Sequence, residues 1–233
     1  MAYSEAGFGA RLENARKLLT HLQTFGGYIP AAKDLTSDNL EKVIQLAQKY
    51  DQEATNSIDE YSKSVDAREN LFRNAPTSFL KRLTPLNAAV RSGFGRQSQQ
   101  VETISGMIRK IRGIKLKKLY NSPDAATVSQ SENSYGSMVK SLSDLIIILD
   151  KYGNTYNPGN PSLKVSDLKL LQANMKNANE KVTSTLGIQM NIRSLRRNKF
   201  EIHHQVCQRI KDGIRSQYTP NSPEYDLIKS LKF

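Results

Sequence analysis

The chain has no tryptophan, one cysteine and three histidines in 233 residues. A lone Cys207 cannot close an intrachain disulfide, which agrees with a reducing compartment. His203 and Cys207 stand four apart and would share one face of a helix. A structural zinc site needs four ligands, and no second Cys or His pair supplies the rest. The pair therefore reads as part of a buried seam, with His204 turned about 100° away towards solvent. Long apolar runs are also missing. The longest, "LIIIL" at Leu145 to Leu149, falls far short of the roughly 20 residues a membrane span needs. The opening "MAYSEAGFGARLENARK" lacks the basic-then-apolar layout of a secretory signal. A cytoplasmic location is the expectation.

Chemistry is as thinly represented. "GFG" occurs at Gly7 and again at Gly93, but neither leads into the Lys-Ser/Thr of a phosphate-binding loop. The carboxylate pairs Asp51/Glu53 and Asp59/Glu60 fall among polar residues of a predicted helix, where a solvated face is the default. No base, nucleophile or ligand set can be assembled, so the expectation is a non-enzymatic protein with no cofactor and no small-molecule substrate.

What the chain does have is positive charge, 34 basic against 22 acidic residues for a net +12. It gathers in two clusters. "IRKIRGIKLKK" holds Arg109, Lys110, Arg112, Lys115, Lys117 and Lys118, with no acid between Glu102 and Asp124. "NIRSLRRNK" holds Arg193, Arg196, Arg197 and Lys199, with no acid between Glu180 and Glu201. Such clusters attract phosphate backbones through counterion release, which makes nucleic acid the second partner class to consider. No reading module accompanies them, neither a helix-turn-helix, a zinc finger nor an aromatic RNA signature. A membrane surface ranks lower, because "IRGIKLKKLY" is short and interrupted by Gly113.

The chain also echoes itself. At an offset of 127, Phe8 meets Tyr135, Leu18 meets Leu145, Leu22 meets Leu149 and Phe25 meets Tyr152. At 128, Tyr28 meets Tyr156, Pro30 meets Pro158, Leu35 meets Leu163 and Phe72 meets Phe200. At 124, Phe94 meets Tyr218, Ser98 meets Ser222 and Ile104 meets Ile228. The matched positions are apolar or turn residues, the kind a shared fold retains. The expected organisation is two similar helical-bundle repeats, 1–112 and 131–233, joined by a basic and polar linker at 113–130.

Each repeat opens with an amphipathic helix, on Leu12, Ala15, Leu18, Leu19 and Leu22 in the first and Leu142, Leu145, Ile146 and Leu149 in the second. A long helix follows. In the first repeat it opens near Ser37-Asp38, carries Leu40, Val43, Ala47, Tyr50, Ala54, Ile58, Tyr61, Val65 and Phe72, and stops before Pro76. The second repeat carries Leu168, Leu171, Met175, Ala178, Val182 and Leu186, then Phe200, His203, Cys207, Ile210 and Ile214. No proline interrupts Val165 to Tyr218, so one helix of about 50 residues, about 75 Å long, is expected, with a break near Asn198 as the alternative. A third segment, Ser78 to Ser92, should be interrupted at Pro85, and short helices start at Ser98 and Ser222. No period-2 runs occur. The fold class is all-α, with antiparallel bundle packing.

The repeated "RLENARKLL...Y.P....L....L" layout, "MIRKIRG", the linker ending "TVSQ" and the terminal "SPEYDLIKSLKF" resemble a family of duplicated all-helical bacterial proteins of no assigned activity. The resemblance implies the fold and the duplication, and no functional residues.

A seam longer than its partners has apolar surface to share. Ile147, Ile148, Phe200, Ile210, Ile214 and Phe233 are the expected subunit contacts, and a self-associating helical scaffold, a homo-oligomer or larger assembly, is the expected function.

Overall fold

The computed structural model describes residues 7–113 and 134–233, and among them the only regular structure is helical. The helices are α1 (Phe8–Thr24), α2 (Ser37–Glu69), α3 (Phe79–Phe94), α4 (Gln99–Ile111), α5 (Tyr135–Lys151), α6 (Val165–Tyr218) and α7 (Pro223–Ile228). Of the described helices, none is long and apolar enough to cross a membrane. Much of the linker, with Lys115, Lys117 and Lys118, lies outside the described residues.

Local chemistry sets the helix ends. Ser98, Ser134 and Ser222 accept from the backbone N–H three residues on, at 3.4, 3.1 and 3.2 Å, capping α4, α5 and α7. Thr36 caps α2 through Asn39 N–H at 3.2 Å, one residue earlier than the sequence suggests. α2 closes in a π turn over Asn70–Asn74 that buries Phe72, ahead of Pro76. Pro85 does not interrupt α3, which runs through it. Buried Leu83, Leu86 and Val90 on either side hold the helix while the ring forgoes one backbone donor. α6 is continuous for 54 residues, without a break at Asn198.

The chain folds into two compact units, and they cut across the two sequence segments. One takes its residues from Met1–Glu60 and Leu186–Phe233, the other from Tyr61–Thr185. Each long helix therefore gives one part to each unit. The reason is visible in the seams of α2 and α6, which outrun the short helices of their own segment. The divisions 1–112 and 131–233 describe the echo along the chain and are not the packing units.

In the first unit, Leu12, Ala15, Leu18 and Leu22 of α1 and Leu40, Ile44 and Ala47 of α2 share a core with Phe200, Cys207, Ile210 and Ile214 of α6. Ile228 and Phe233 close it. The chain end is held by polar bonds as well: Asn14 Nδ2 donates to the Lys232 carbonyl (2.8 Å) and Lys211 Nζ to that of Lys229 (2.6 Å). In the second unit, Phe72, Leu83, Leu86 and Val90 and the apolar face of α4 share a core with Met138, Leu142, Leu145 and Leu149 of α5 and Leu168, Leu171 and Met175 of α6.

The two units repeat one another's details. Tyr28 Oη donates to the Leu35 carbonyl at 3.2 Å, and Tyr156 Oη to the Leu163 carbonyl at 2.8 Å. Phe25 packs on Tyr218 with ring centroids 5.9 Å apart, and Tyr152 on Phe94 at 4.8 Å. Phe8 meets Phe200 at 4.4 Å, and Tyr135 meets Phe72 at 4.9 Å. Arg196 lies over the Phe8 ring (4.2 Å) and Arg68 over the Tyr135 ring (3.9 Å). Gly95 follows α3 at φ 84°, and Thr219 follows α6 at φ 70°. In both kinds of ring pair and in the guanidinium stacks, the partners come from opposite segments of the chain.

The middle of the long helices departs from the expected seam. Ser57, Ser64, Thr185 and Gln189 are buried there, while Ile58, Tyr61 and Val65 are half-exposed and Leu186 is exposed. Ser57 and Ser64 satisfy their hydroxyls on the Ala54 and Tyr61 carbonyls (2.8 and 2.7 Å), and Ser64 Oγ lies 2.8 Å from Thr185 Oγ1.

Candidate functional site

The ten basic candidates have different fates. Arg196 bonds Asp51 at 3.2 Å beneath the Phe8 ring, so its charge is already used within its unit. Lys199 is half-buried with Nζ 5.8 Å from the centre of the Tyr50 ring. Arg112 donates to Thr84 Oγ1. Arg109 and Lys110 on α4, and Arg193 and Arg197 on α6, are exposed. The last two stand four residues apart on one helix face, a spacing that presents two guanidiniums together.

The apolar candidates largely move inside. Phe200, Ile210, Ile214 and Phe233 are at most 5% exposed and belong to the core of the first unit, so they have no surface to offer a neighbour. Their seam is matched there by α1 and α2, which the sequence could not indicate. Ile148 packs on the core of the second unit, while Ile147 remains 52% exposed.

A different row of residues is exposed on α6. Ile188, Leu195 and Ile202 are 52%, 36% and 41% exposed and stand seven residues apart, which places them on one face. At 1.5 Å per residue the row is about 21 Å long. Each member is followed three residues on by an exposed uncharged amide: Asn191, Asn198 and Gln205. At about 100° per residue, Arg193 and Arg197 lie about 140° and 180° round the helix from Ile188, so the row is not bordered by them. The signal in the sequence is a second heptad register, Ile188, Leu195 and Ile202, beside the more strongly apolar buried one.

His203 and Cys207 lie at the centre of the first unit, both fully buried, with Cys207 Sγ 4.0 Å from His203 Nε2. His203 Nδ1 has no partner among the described residues. Burial, then the nearby charges of Arg11 and His204, push the imidazole down from 6.5 to about 4, so it is neutral at pH 7. Burial pushes the Cys207 thiol up to about 12, and a thiol in that state is a poor nucleophile. No group of three or more His, Cys, Asp or Glu among the described residues could hold a metal ion. In the second unit a cleft of about 100 Å³ is lined by Met107, Lys110, Ile111, Ser141 and Asp144. Small-molecule sites usually run to about 300–1,000 Å³.

Comparison with protein-family models, curated proteins and solved structures finds no match to this chain. Residue roles therefore rest on the geometry above.

Proposed function

We propose that this protein is a non-enzymatic helical scaffold, built from a duplicated helical segment, that associates with further copies of itself through the exposed face of α6. The observation that carries the reading is the Ile188, Leu195 and Ile202 row with its border of neutral amides. A helix face of this pattern, with no like charge along the amide edge, suits a two-fold contact in which the same patch serves both chains. On a chain of net charge +12, a neutral edge favours a second copy over an anionic partner. The matched hydrogen bond, ring pairs and guanidinium stacks of the two units support the duplication.

Light scattering between about 1 and 500 μM, at low and high salt, tests the association. The expected result is a mass that rises with concentration and changes little with salt, since an apolar and amide contact is weakly screened. A mass that stays at one chain throughout contradicts it.

The exposed pairs Arg193/Arg197 and Arg109/Lys110 favour a second reading, sequence-nonspecific binding of nucleic acid. Titration with labelled duplex and single strands would then give an affinity that falls steeply with salt. Charge reversal at Arg193 and Arg197 should weaken it about tenfold or more. Unchanged affinity in that variant removes the α6 pair from the reading.

A further inference from the structure

The composition of the units has a consequence for how copies of this chain can meet. Neither unit is supplied by one half of the chain. The first draws on 7–60 and 186–233, the second on 61–113 and 134–185. In both, the core joins side chains from the two halves, and so does every ring pair that the units repeat. The N-terminal half, 7–113, thus has its missing core in the C-terminal half, 134–233, twice over. What ties the halves together covalently is the twenty residues 114–133.

We infer that the two halves of this chain are binding partners in their own right, and that the partner half can come from a second copy: 7–113 of one chain with 134–233 of another, rebuilding both units. The contacts in such an exchanged dimer are the same as in the single chain, so what differs is the connection. A covalent connection between the halves raises their effective concentration for one another, which keeps the single-chain form dominant at low concentration. Exchange requires both cores to open, so it should be slow between native chains and should occur when chains fold together. This is domain swapping with a whole half as the exchanged element. It differs from the association through the α6 face, which adds a new contact between complete molecules.

The test uses the full chain with a protease site placed within 114–133, and matching circular dichroism of the uncut protein and its parent as the folding control. After cleavage, the two halves are expected to co-elute at the mass of one chain at micromolar concentration. Halves that separate overturn the inference. Two versions with different affinity tags are next unfolded and refolded together at about 10 and 500 μM. A doubly tagged dimer that linker cutting breaks down is expected, in a fraction that rises severalfold with concentration, and this cut-sensitive fraction should be absent when the folded versions are merely mixed. Cutting the linkers should return this dimer to the mass of one chain. A dimer held by the α6 face keeps its doubled mass after cutting, so the two kinds of association are told apart. Absence of any doubly tagged dimer that cutting breaks down, after refolding together at 500 μM, overturns the exchange.

Discussion

His203 is the residue whose environment has the plainest consequence. Its imidazole titrates near 4 in the folded chain against 6.5 when exposed. Between those values the unfolded chain takes up a proton that the folded chain refuses. Its share of stability is therefore complete above pH 6.5 and is lost as the pH falls to about 4, up to about 3 kcal/mol. Urea unfolding at pH 7 and pH 5 should show this loss, and His203→Phe should flatten it; an unchanged slope in the variant contradicts the assignment. A second residue-scale prediction comes from the repeated geometry. Asp51 and Arg196 pair in the first unit. The positions 128 residues away are Asn179 and Arg68, and Asn179 Oδ1 and Arg68 Nε are buried without partners. Asn179→Asp should restore the pair and stabilise by about 0.5–1 kcal/mol, whereas Asp51→Asn should cost a similar amount. Equal urea midpoints for Asn179→Asp and the parent would refute the equivalence.

At the scale of the elements, glycines inside helices have different duties. A Cβ at Gly93 in α3 would stand 2.9 Å from the Thr155 carbonyl oxygen, whereas one at Gly187 in α6 meets nothing within 4 Å. Alanine gains up to about 1 kcal/mol in helix propensity at either place. At Gly93 the overpacking, about 1–3 kcal/mol, outweighs it. Thermal melts should therefore show Gly187→Ala above the parent and Gly93→Ala below it. Thr219 holds φ 70° where its counterpart is Gly95, and Thr219→Gly should relieve about 1 kcal/mol of strain. The elements themselves were legible in sequence: Ser98 and Ser222 as caps, Pro76 as a stop, and α6 as one helix because nothing in it breaks one. The middle of the long helices was not. Ser57, Ser64 and Thr185 occupy core positions there because their hydroxyls find partners in the helices, and apolar periodicity does not mark such positions.

At the scale of the molecule, the interleaving of the halves was equally hidden. The spacing of Phe200, Ile210 and Ile214 announces a buried face, yet spacing says nothing of which helix covers it. α1 and α2 of the same chain share a core with Phe200, Ile210 and Ile214, which leaves these three nothing to offer a neighbouring subunit. Beside that seam, Ile188, Leu195 and Ile202 form an exposed heptad-spaced row on α6, and it bears the proposed association. Leu195 is its central member and is 36% exposed, so a charge there can reach solvent without entering the core. The direct measurement is sedimentation equilibrium of the parent and Leu195→Glu side by side at several hundred micromolar, with matched circular dichroism. The account predicts a parent heavier than one chain and a variant at the mass of one chain. Equal masses for the two proteins would contradict it.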